Sequence, residues 1–476
     1  IDHGNGYSSV YAHLQRFAPE IEAYVKKIQY EKELYEIELF PTPSELRLEK
    51  GQVIAYSGNS GGSGGPHLHF EIRDSKTEKP INPLLFGFDV KDTQAPGIET
   101  LLAYSLADST HVNQTNNPVQ INFTRQKDGT FLSDKIVAHG TIGFGINAFD
   151  RQDLSYNKNG LYSMEMSVNG TQHLGYSFET FSFSETMYIN TFIDYERLAS
   201  RKQHIQQLFV KPSNKLGIYG QRVNNGFIKV EDGMFYTVTI TLRDAANNTT
   251  VLSIPVEGKK LPLLKASETV KTSNYLVASR DNIYNIGNAN IYFPEGTFYD
   301  DFFIDLKQED STIIIHNNKV ARHKNYTLTF NVSNYPDALK PHLVIVTISD
   351  KGKPDAESTY RSNNSISTKT KSMGRFGIAV DTTPPMITPA NFKPDQWLSN
   401  FKYLKIKIAD KLSGIKSYRA TINGKFILTE YEYKQKMLTY DFSDLTFEGS
   451  QHNLEVVVTD NAGNSTTFKT TFYRKL

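Results

Sequence analysis

The sequence predicts a mainly β protein, with an antiparallel β domain at its start followed by three β-sandwich domains. Its 476 residues are too many for a single hydrophobic core. After residue 90, short alternating apolar stretches are separated by turns rich in Asn, Asp and Gly, a pattern typical of antiparallel sandwiches. Part of this pattern occurs twice, which indicates that two of the sandwiches share a fold.

The repeat consists of four features in the same order: an Asp-Thr opening, a strand ending in Asp, an Asn-Gly turn, and a closing turn with Asp and Asn. They are Asp92–Ile98, Ile146–Asp150, Asn169–Gly170 and Arg243–Asn248 in the first copy, and Asp381–Ile387, Ile406–Asp410, Asn423–Gly424 and Thr459–Asn464 in the second. Such modules resemble the bacterial Ig-like modules of secreted proteins, and we expect Ig-like sandwiches.

The strand pattern and the repeat divide the chain into four units, residues 1–90, 91–257, 258–380 and 381–476. The opening and closing aspartates lie 152 positions apart in the first copy (244 − 92) and 79 in the second (460 − 381). The unit 91–257 is therefore an enlarged sandwich with insertions, one of which is predicted to contain a helix over Tyr195–Phe209. In the unit 258–380, Thr312–Ile315 and Leu343–Val346 are predicted to be buried strands.

The aspartates and asparagines of the two closing turns allow two interpretations. Clusters of oxygen ligands can bind calcium. Hydrogen bonds from these side chains within tight turns explain the same residues without a metal, and this is the interpretation we favour from sequence alone.

The most specific chemical motif lies at Gly65–Glu71, where one residue separates His67 from His69. On a strand these two side chains point to the same side, about 7 Å apart. Leu68 and Phe70 then face the other side and are expected to anchor the strand in a core. Two imidazoles on one face suit a metal ligand with an acid or base beside it.

Two further stretches precede this motif. Residues 1–14 predict a hairpin with an Asn-Gly turn, in which Ala12 and Leu14 face one side and His13 the other. Residues 49–58 lead into the glycine-serine loop Ser57–Gly65. This loop lacks the Gly-Lys-Ser/Thr ending of a P-loop, so we expect it to border a substrate groove or to be a plain connector.

In this order the hairpin, the loop and the His-Leu-His strand resemble the lysostaphin/LytM-type zinc endopeptidases, which cut peptide bonds in bacterial cell-wall peptidoglycan. The resemblance covers about the first ninety residues. It implies that His69 is a zinc ligand. It also implies that His67 and His13 do not bind the zinc but transfer protons and stabilise the oxyanion. Such a zinc keeps one position open for a water molecule, whose pKa it lowers.

The sequence departs from this family at the other two zinc ligands, which come from an upstream His-x-x-x-Asp motif. None of the twelve histidines has Asp four positions later. His3 is followed at that distance by Tyr7, and we expect it to be a turn residue rather than a substitute ligand. We expect the missing ligands, with an export signal, to lie on a segment that was removed, was left out or belongs to another chain. This chain alone should then hold no tightly bound zinc.

Composition excludes several classes of function. With 52 basic and 51 acidic residues the net charge is +1, which does not favour binding to nucleic acid or to an anionic membrane. No run of about eighteen apolar residues predicts a transmembrane helix in this portion. The absence of cysteine excludes disulfides and thiol chemistry.

A helix is predicted over Glu20–Tyr30, since Ile21, Val25 and Ile28 recur at helical spacing after Pro19. It forms an insertion in the peptidase-like sheet, where it either lines the groove or, as we favour, packs against the sheet.

The leading functional hypothesis is a peptidoglycan endopeptidase of the cell envelope, periplasmic or exported, whose β-sandwiches position the enzyme or dock envelope protein partners. The alternative is a non-catalytic envelope scaffold that keeps the peptidase-like fold for binding. Glycan adhesion through the sandwiches is a third hypothesis, which no specific motif supports. An intact upstream His-x-x-x-Asp motif would favour the enzyme, and its loss would favour the scaffold.

Overall fold

The computed structural model describes residues 1–107, 109–266 and 270–475. It confirms the mainly β fold class, because most of its regular structure is strand. To within one residue, each sheet takes its strands from a single one of the four units expected from the sequence.

The first unit is a small antiparallel domain with one helix, in which β1, β4 and β5 form a sheet and β2 pairs with β3. Helix α1 confirms the helix predicted over Glu20–Tyr30; Pro19 suits its first position because the first N–H groups of a helix need no intrahelical partner. The elements are β1 (Tyr7–Ala12), β2 (Leu14–Phe17), α1 (Pro19–Lys32), β3 (Ala55–Ser57), β4 (His69–Asp74), β5 (Pro80–Ile81) and a 3₁₀ helix (Pro83–Phe86).

The second unit is an enlarged sandwich whose two layers share one long strand. Its elements are β6 (Gly97–Ser105), β7 (His111–Val112), β8 (Val119–Ile121), β9 (Phe123–Arg125), β10 (Phe131–Ser133), β11 (Ile136–Phe149), β12 (Ser163–Val168), β13 (Thr171–Ser177), α2 (Ile189–Phe192), α3 (Tyr195–Arg201), β14 (Gln206–Gln207), β15 (Tyr219–Arg222), β16 (Ile228–Val230), β17 (Phe235–Arg243) and β18 (Thr249–Gly258), with 3₁₀ helices at Phe183–Tyr188 and Asn224–Gly226.

Strand β11 joins the two layers. Its start, Ile136–Ala138, pairs with β18, and its later part, Ile142–Phe149, pairs with β6. Gly140 lies between these two parts with a φ of 86°, a conformation that glycine adopts without strain. The strand therefore turns the corner between the layers, and apolar side chains of both layers form one core.

The helix predicted over Tyr195–Phe209 is wrong beyond Arg201. Asp194 caps α3 by accepting a hydrogen bond from the Arg197 amide, and Lys202 ends the helix in a left-handed conformation. Ile205 and Leu208 are fully buried, but β14, which lies between them, pairs with β11. Apolar spacing alone did not distinguish a helix from a short buried strand.

The last two units are two-layer sandwiches, each with one core between its sheets. The third unit stacks sheets of order β20-β21-β25-β29-β28 and β23-β24-β30-β26-β27, and the fourth stacks β31-β32-β36-β35 and β34-β33-β37-β38. The strands are β19 (Asn274–Leu276), β20 (Asn282–Ile286), β21 (Ala289–Phe293), β22 (Phe302–Ile304), β23 (Leu306–Glu309), β24 (Thr312–Ile315), β25 (Tyr326–Asn331), β26 (Leu343–Ile348), β27 (Pro354–Ala356), β28 (Tyr360–Arg361), β29 (Ser365–Thr370), β30 (Gly374–Val380), β31 (Met386–Pro389), β32 (Tyr403–Ala409), β33 (Ile415–Ile422), β34 (Lys425–Phe426), β35 (Glu430–Glu432), β36 (Met437–Asp441), β37 (Gln451–Asp460) and β38 (Ser465–Tyr473), with a 3₁₀ helix at Lys340–His342.

The strands predicted at Thr312–Ile315 and Leu343–Val346 are confirmed as β24 and the start of β26. The Asn-Gly turns are also confirmed. Asn169–Gly170 connects β12 to β13 and Asn423–Gly424 connects β33 to β34, and all four residues have positive φ. Two successive residues with positive φ form the turn that matches the twist of paired strands.

Each unit contacts the next one along the chain, and the fourth unit also contacts the first. One hydrogen bond from each contact is Asn82 N to Glu179 O (2.8 Å), Arg322 Nη2 to Tyr195 OH (3.2 Å), His342 Nδ1 to Ala462 O (3.2 Å), and Lys26 Nζ to Asp444 Oδ1 (2.7 Å).

The first unit has a small core of its own. In residues 1–90, all of which the structure describes, the buried apolar side chains are those of Ala18, Ile21 and Ile72. Large apolar side chains such as Phe40 and Val53 are exposed. Because so little apolar surface is buried within the unit, its contacts with the other units contribute a large part of its stability.

Two tyrosines of the first unit, Tyr30 on helix α1 and Tyr35 beyond its end, pack against the fourth unit, so that α1 contacts this sandwich as well as β2. The Tyr35 ring lies 4.5 Å from that of Tyr418 and 5.2 Å from that of Phe426. The Tyr30 hydroxyl donates to Asp444 and accepts a hydrogen bond from the Leu428 amide. Burial raises the pKa of both tyrosines, so both hydroxyls stay protonated, and that of Tyr35 accepts hydrogen bonds from the Ala420 amide and Thr429 Oγ1.

Within the described residues, no helix is both long enough and apolar enough to cross a membrane.

Replacing Tyr35 by Ala should loosen the contact between the first and fourth units. The ring packing lost is worth about 2 kcal/mol, and the Ala420 amide loses the hydroxyl that accepts its hydrogen bond. We expect the Ala420 amide to exchange its hydrogen at least about tenfold faster, measured by NMR. Phe40→Ala, which removes a ring that is 85% exposed in the same segment, is the control and should leave this rate unchanged. Equal rates in both variants would contradict the importance of this contact.

Candidate functional site

The site begins with the pairing of β1 and β4. Ala12 lies opposite His69, and Tyr11 lies opposite Phe70. The Phe70 ring packs against Tyr11 at 5.4 Å and against Phe88 at 5.9 Å, so this side chain anchors β4. The expected second anchor is wrong, because Leu68 precedes the first residue of β4 and is 48% exposed.

The ring of His13 reaches the other two histidines because of a bend in the chain. His13 was expected to lie on a strand, but it lies between β1 and β2 with a φ of 57°. Strand alternation would have placed it on the side of Tyr11, away from His69. The bend instead brings its ring centroid 4.8 Å from that of His67 and 5.7 Å from that of His69. The three histidines, here called the histidine cluster, therefore lie together.

The glycine-serine loop holds two rings of the cluster, so it is more than a connector. His13 Nδ1 lies 2.8 Å from Ser60 O, and His67 Nδ1 lies 2.9 Å from Gly65 O. Ser63 is buried, and its hydroxyl donates to Gly65 O and lies 3.1 Å from His67 Nδ1. Because a carbonyl oxygen only accepts, both Nδ1 atoms must carry the hydrogen. In the neutral rings each Nε2 therefore has a free lone pair.

His69 has the opposite arrangement. Its Nε2 lies 2.6 Å from Glu71 Oε1, and Arg73 Nε donates to Glu71 Oε2 at 2.7 Å. The hydrogen bond from Arg73, and secondly that from His69, lowers the pKa of Glu71, which stays a carboxylate. His69 Nε2 then donates and its Nδ1 is left free. A histidine that binds a metal commonly donates its second ring N–H to a carboxylate in this way.

His69 thus fits the role of a metal ligand, but the residues described do not complete a zinc site. A catalytic zinc needs three protein ligands. In the described parts of the chain, groups of three ligand atoms within 4.8 Å of one another are two sets of aspartates, and the histidine cluster is not among them. His3 does not substitute, because it is exposed and bonds to Ser9 Oγ through Nε2 at 2.8 Å, as the turn interpretation requires.

The fourth unit also contacts the loop that holds the cluster. In the turn between β35 and β36, the Tyr433 hydroxyl donates to Gly61 O at 3.1 Å and Lys434 Nζ donates to Asn59 O at 2.7 Å. Sequence analysis missed these two residues because more than 370 positions separate them from the loop and no local pattern marks them. It also missed Glu71, which the two-residue spacing from His69 could have placed beside the ring.

Two family models match parts of the chain, each covering less than half of it. Peptidase family M23 matches residues 43–83, which include His67, His69 and the glycine-serine loop but not His13. This match supports the resemblance to LytM-type peptidases over that segment. A Zu5-like domain matches residues 273–381, which span the strands of the third unit. No curated protein matches the chain.

Structural likenesses among solved proteins are distant. Fibronectin(III)-like modules of Clostridium thermocellum CbhA are 13% identical over 52% of this chain and 88% of theirs, with a TM-score of 0.16. Cadherin domains 3–6 of protocadherin gamma B2 are 9% identical over 98% of this chain and 92% of theirs, with a TM-score of 0.17. The Bacteroides ovatus protein SGBP-B, solved with a mixed-linkage heptasaccharide, is 9% identical over 78% and 71%, with a TM-score of 0.14. Likenesses this weak carry no argument about function.

Replacing Gly58 by Ala should disturb the histidine cluster. An added Cβ would lie 2.5 Å from the backbone nitrogen of Gln15, so β2 and the loop must move apart. The hydrogen bond from the His67 amide to Gly58 O, 3.1 Å long, should weaken by about 1–3 kcal/mol. Hydrogen exchange of the His67 amide should accelerate accordingly, by about tenfold or more.

Gly62→Ala in the same loop is the matched control, because its Cβ would meet nothing within 4 Å. It should leave the exchange rate of the His67 amide nearly unchanged. The same rate for both variants would show that contact with β2 does not hold the loop in place.

Proposed function

We propose that the first unit is the peptide-cleaving part of a cell-wall endopeptidase, which hydrolyses peptidoglycan peptides with a bound zinc. The observation that supports this most is the histidine cluster, in which two rings have free Nε2 lone pairs and the third has free Nδ1. Two of the three rings lie within the segment that matches Peptidase family M23.

The orientation of the rings suits proton transfer by His13 and His67. A neutral ring whose Nδ1–H is bonded to a carbonyl can accept a proton from water only at Nε2. Once protonated, the same nitrogen can donate to the developing oxyanion and then to the leaving amine. The carbonyls of Ser60 and Gly65 would hold the two rings in position and stabilise the added charge.

His69 would be the one zinc ligand that this chain supplies, with Glu71 as its hydrogen-bond partner. When bound, zinc would lower the pKa of a water molecule and polarise the scissile carbonyl. The remaining ligands would come from the upstream His-x-x-x-Asp motif that the family resemblance requires.

The surroundings of the cluster suit an extended peptide. His67 is exposed, and 41% of the His69 side chain is accessible to solvent. The positions where a Cβ would stand on Gly62, Gly64 and Gly65 have no atom within 4 Å, which leaves room for a substrate backbone beside the loop. A peptidoglycan substrate would place the protein in the cell envelope, periplasmic or exported. The β-sandwiches would then position the site or dock envelope protein partners.

The test is cleavage of peptidoglycan peptides by the protein expressed with the residues encoded ahead of Ile1, with zinc supplied, and with products identified by mass spectrometry. We expect His67→Ala to reduce the cleavage rate by about 10²–10⁴-fold, because it removes a proton-transfer group and not a packing contact. His173→Ala is the control; this histidine lies in the second unit and bonds to Thr171 O.

Two results would count against this proposal. If His67→Ala cleaves as fast as the wild type, the assignment of His67 is wrong. If the wild-type protein binds zinc and envelope partners but cleaves no peptide, the unit is a non-catalytic scaffold. Circular dichroism of each variant would show that a loss of rate is not a loss of fold.

A further inference from the structure

Two groups of three aspartates occupy equivalent positions in the second and fourth units. The first triad is Asp92, Asp150 and Asp244, and the second triad is Asp381, Asp410 and Asp460. In each triad one carboxylate oxygen of every member lies within 4.8 Å of the others. The six aspartates hold matching positions in the two copies of the internal repeat. In each copy one lies in the opening segment, one at the end of a strand and one in the closing turn.

Hydrogen bonds within the closing turns account for one member of each triad, as expected from the sequence. Asn248 donates from its amide and its side chain to the two oxygens of Asp244. Asn464 does the same for Asp460. These bonds fix Asp244 and Asp460 in place but leave other carboxylate oxygens of the triads without a donor.

Asp150 is the clearest case of an oxygen without a partner. This side chain is only 5% exposed, and its Oδ1 has no hydrogen-bond partner. In the second triad, Asp410 is half-buried; its Oδ1 also lacks a partner, although its Oδ2 accepts from two amides. Buried carboxylates are normally hydrogen-bonded, paired with a cation or bound to a metal.

Amides donate to several oxygens of the triads, but no ion pair of the described residues balances their charge. Among the described residues, the ion pairs within 4.0 Å involve none of the six aspartates. Burial, followed by the charges of Asp92 and Asp244, raises the pKa of Asp150 to about 6.

We propose that each triad binds one divalent cation, with calcium preferred. All the donors are oxygens, which hard cations prefer, and calcium accepts six to eight of them from carboxylates, backbone carbonyls and water. Calcium tolerates irregular coordination, whereas magnesium demands near-ideal octahedral geometry and usually keeps several of its waters. Calcium is therefore the preferred ion for a site that combines these carboxylates with carbonyls and water.

The position of each triad gives the cation a mechanical role. Asp92 and Asp381 begin the sandwiches, directly after the preceding unit. The turn that contains Asp460 also contacts the third unit, since Ala462 packs against Val344 and Val346. A cation that joins the opening segment to the closing turn would fix the angle between successive units.

The test is calorimetric titration of the 476-residue chain, stripped with EDTA, with calcium chloride and separately with magnesium chloride. We expect two equivalents of calcium with Kd values of about 10⁻⁴ M, as in extracellular modules, and weaker binding of magnesium. Asp150→Asn and Asp410→Asn should each lose one equivalent, and the double variant should lose both. Asp153→Asn is the matched control, because this carboxylate bonds to Thr93 outside the triad and should leave two equivalents.

Thermal unfolding in EDTA separates loss of the ligand from loss of the fold. Asp150→Asn should keep or raise the melting temperature without calcium, since it removes a buried charge, and should lose part of the rise that calcium causes. No binding in the wild type at about 10 mM calcium, well above the expected Kd range, would overturn the proposal. An asparagine variant that keeps both equivalents would overturn it for the triad concerned, and tighter binding of magnesium than of calcium would overturn the preference for calcium.

Discussion

The contact between the first and fourth units is the interaction on which the rest of the arrangement depends. The first unit buries few apolar side chains of its own, so Tyr30 and Tyr35 gain their packing and hydrogen bonds from the last sandwich. This contact closes the order of the four units. It also brings Tyr433 and Lys434 to the loop that holds His13 and His67.

The geometry of the histidine cluster follows from three local constraints. The pairing of β1 with β4 places His69, the left-handed bend places His13, and carbonyls of the glycine-serine loop orient His13 and His67. Each constraint comes from the backbone and not from packing in a hydrophobic core. The site can therefore form in a unit that buries few apolar side chains. The glycines leave the approach to the cluster open, while the hydroxyl of Ser63 and the contact with the fourth unit hold the loop in place.

Strand periodicity, turn residues and the repeat predicted the β fold class, and helical spacing after Pro19 predicted α1, because these features depend on local patterns. The resemblance to LytM-type peptidases implied roles for His13, His67 and His69 in one reaction, but the bend at His13 was not expected, since nothing in the periodicity marks a non-glycine residue with positive φ. The second half of the helix at Tyr195–Phe209 failed because buried apolar residues fit a helix or a strand equally well. Long-range contacts, such as Lys434 with Asn59, have no local signal at all. The burial of Asp150 Oδ1 without a hydrogen-bond partner also results from packing between distant segments, which no local pattern marks.

The central claim is that the backbone holds His13 and His67 with hydrogen on Nδ1 and a free lone pair on Nε2. Long-range ¹H–¹⁵N NMR of the imidazole rings tests this claim most directly, because the two nitrogens of a neutral ring have distinct shifts. In their neutral forms, His13 and His67 should show Nδ1 protonated, and His69, bonded to Glu71, should show Nε2 protonated. If His13 and His67 instead carry their hydrogen on Nε2, the loop carbonyls do not orient them, and the proposed proton acceptors would be absent.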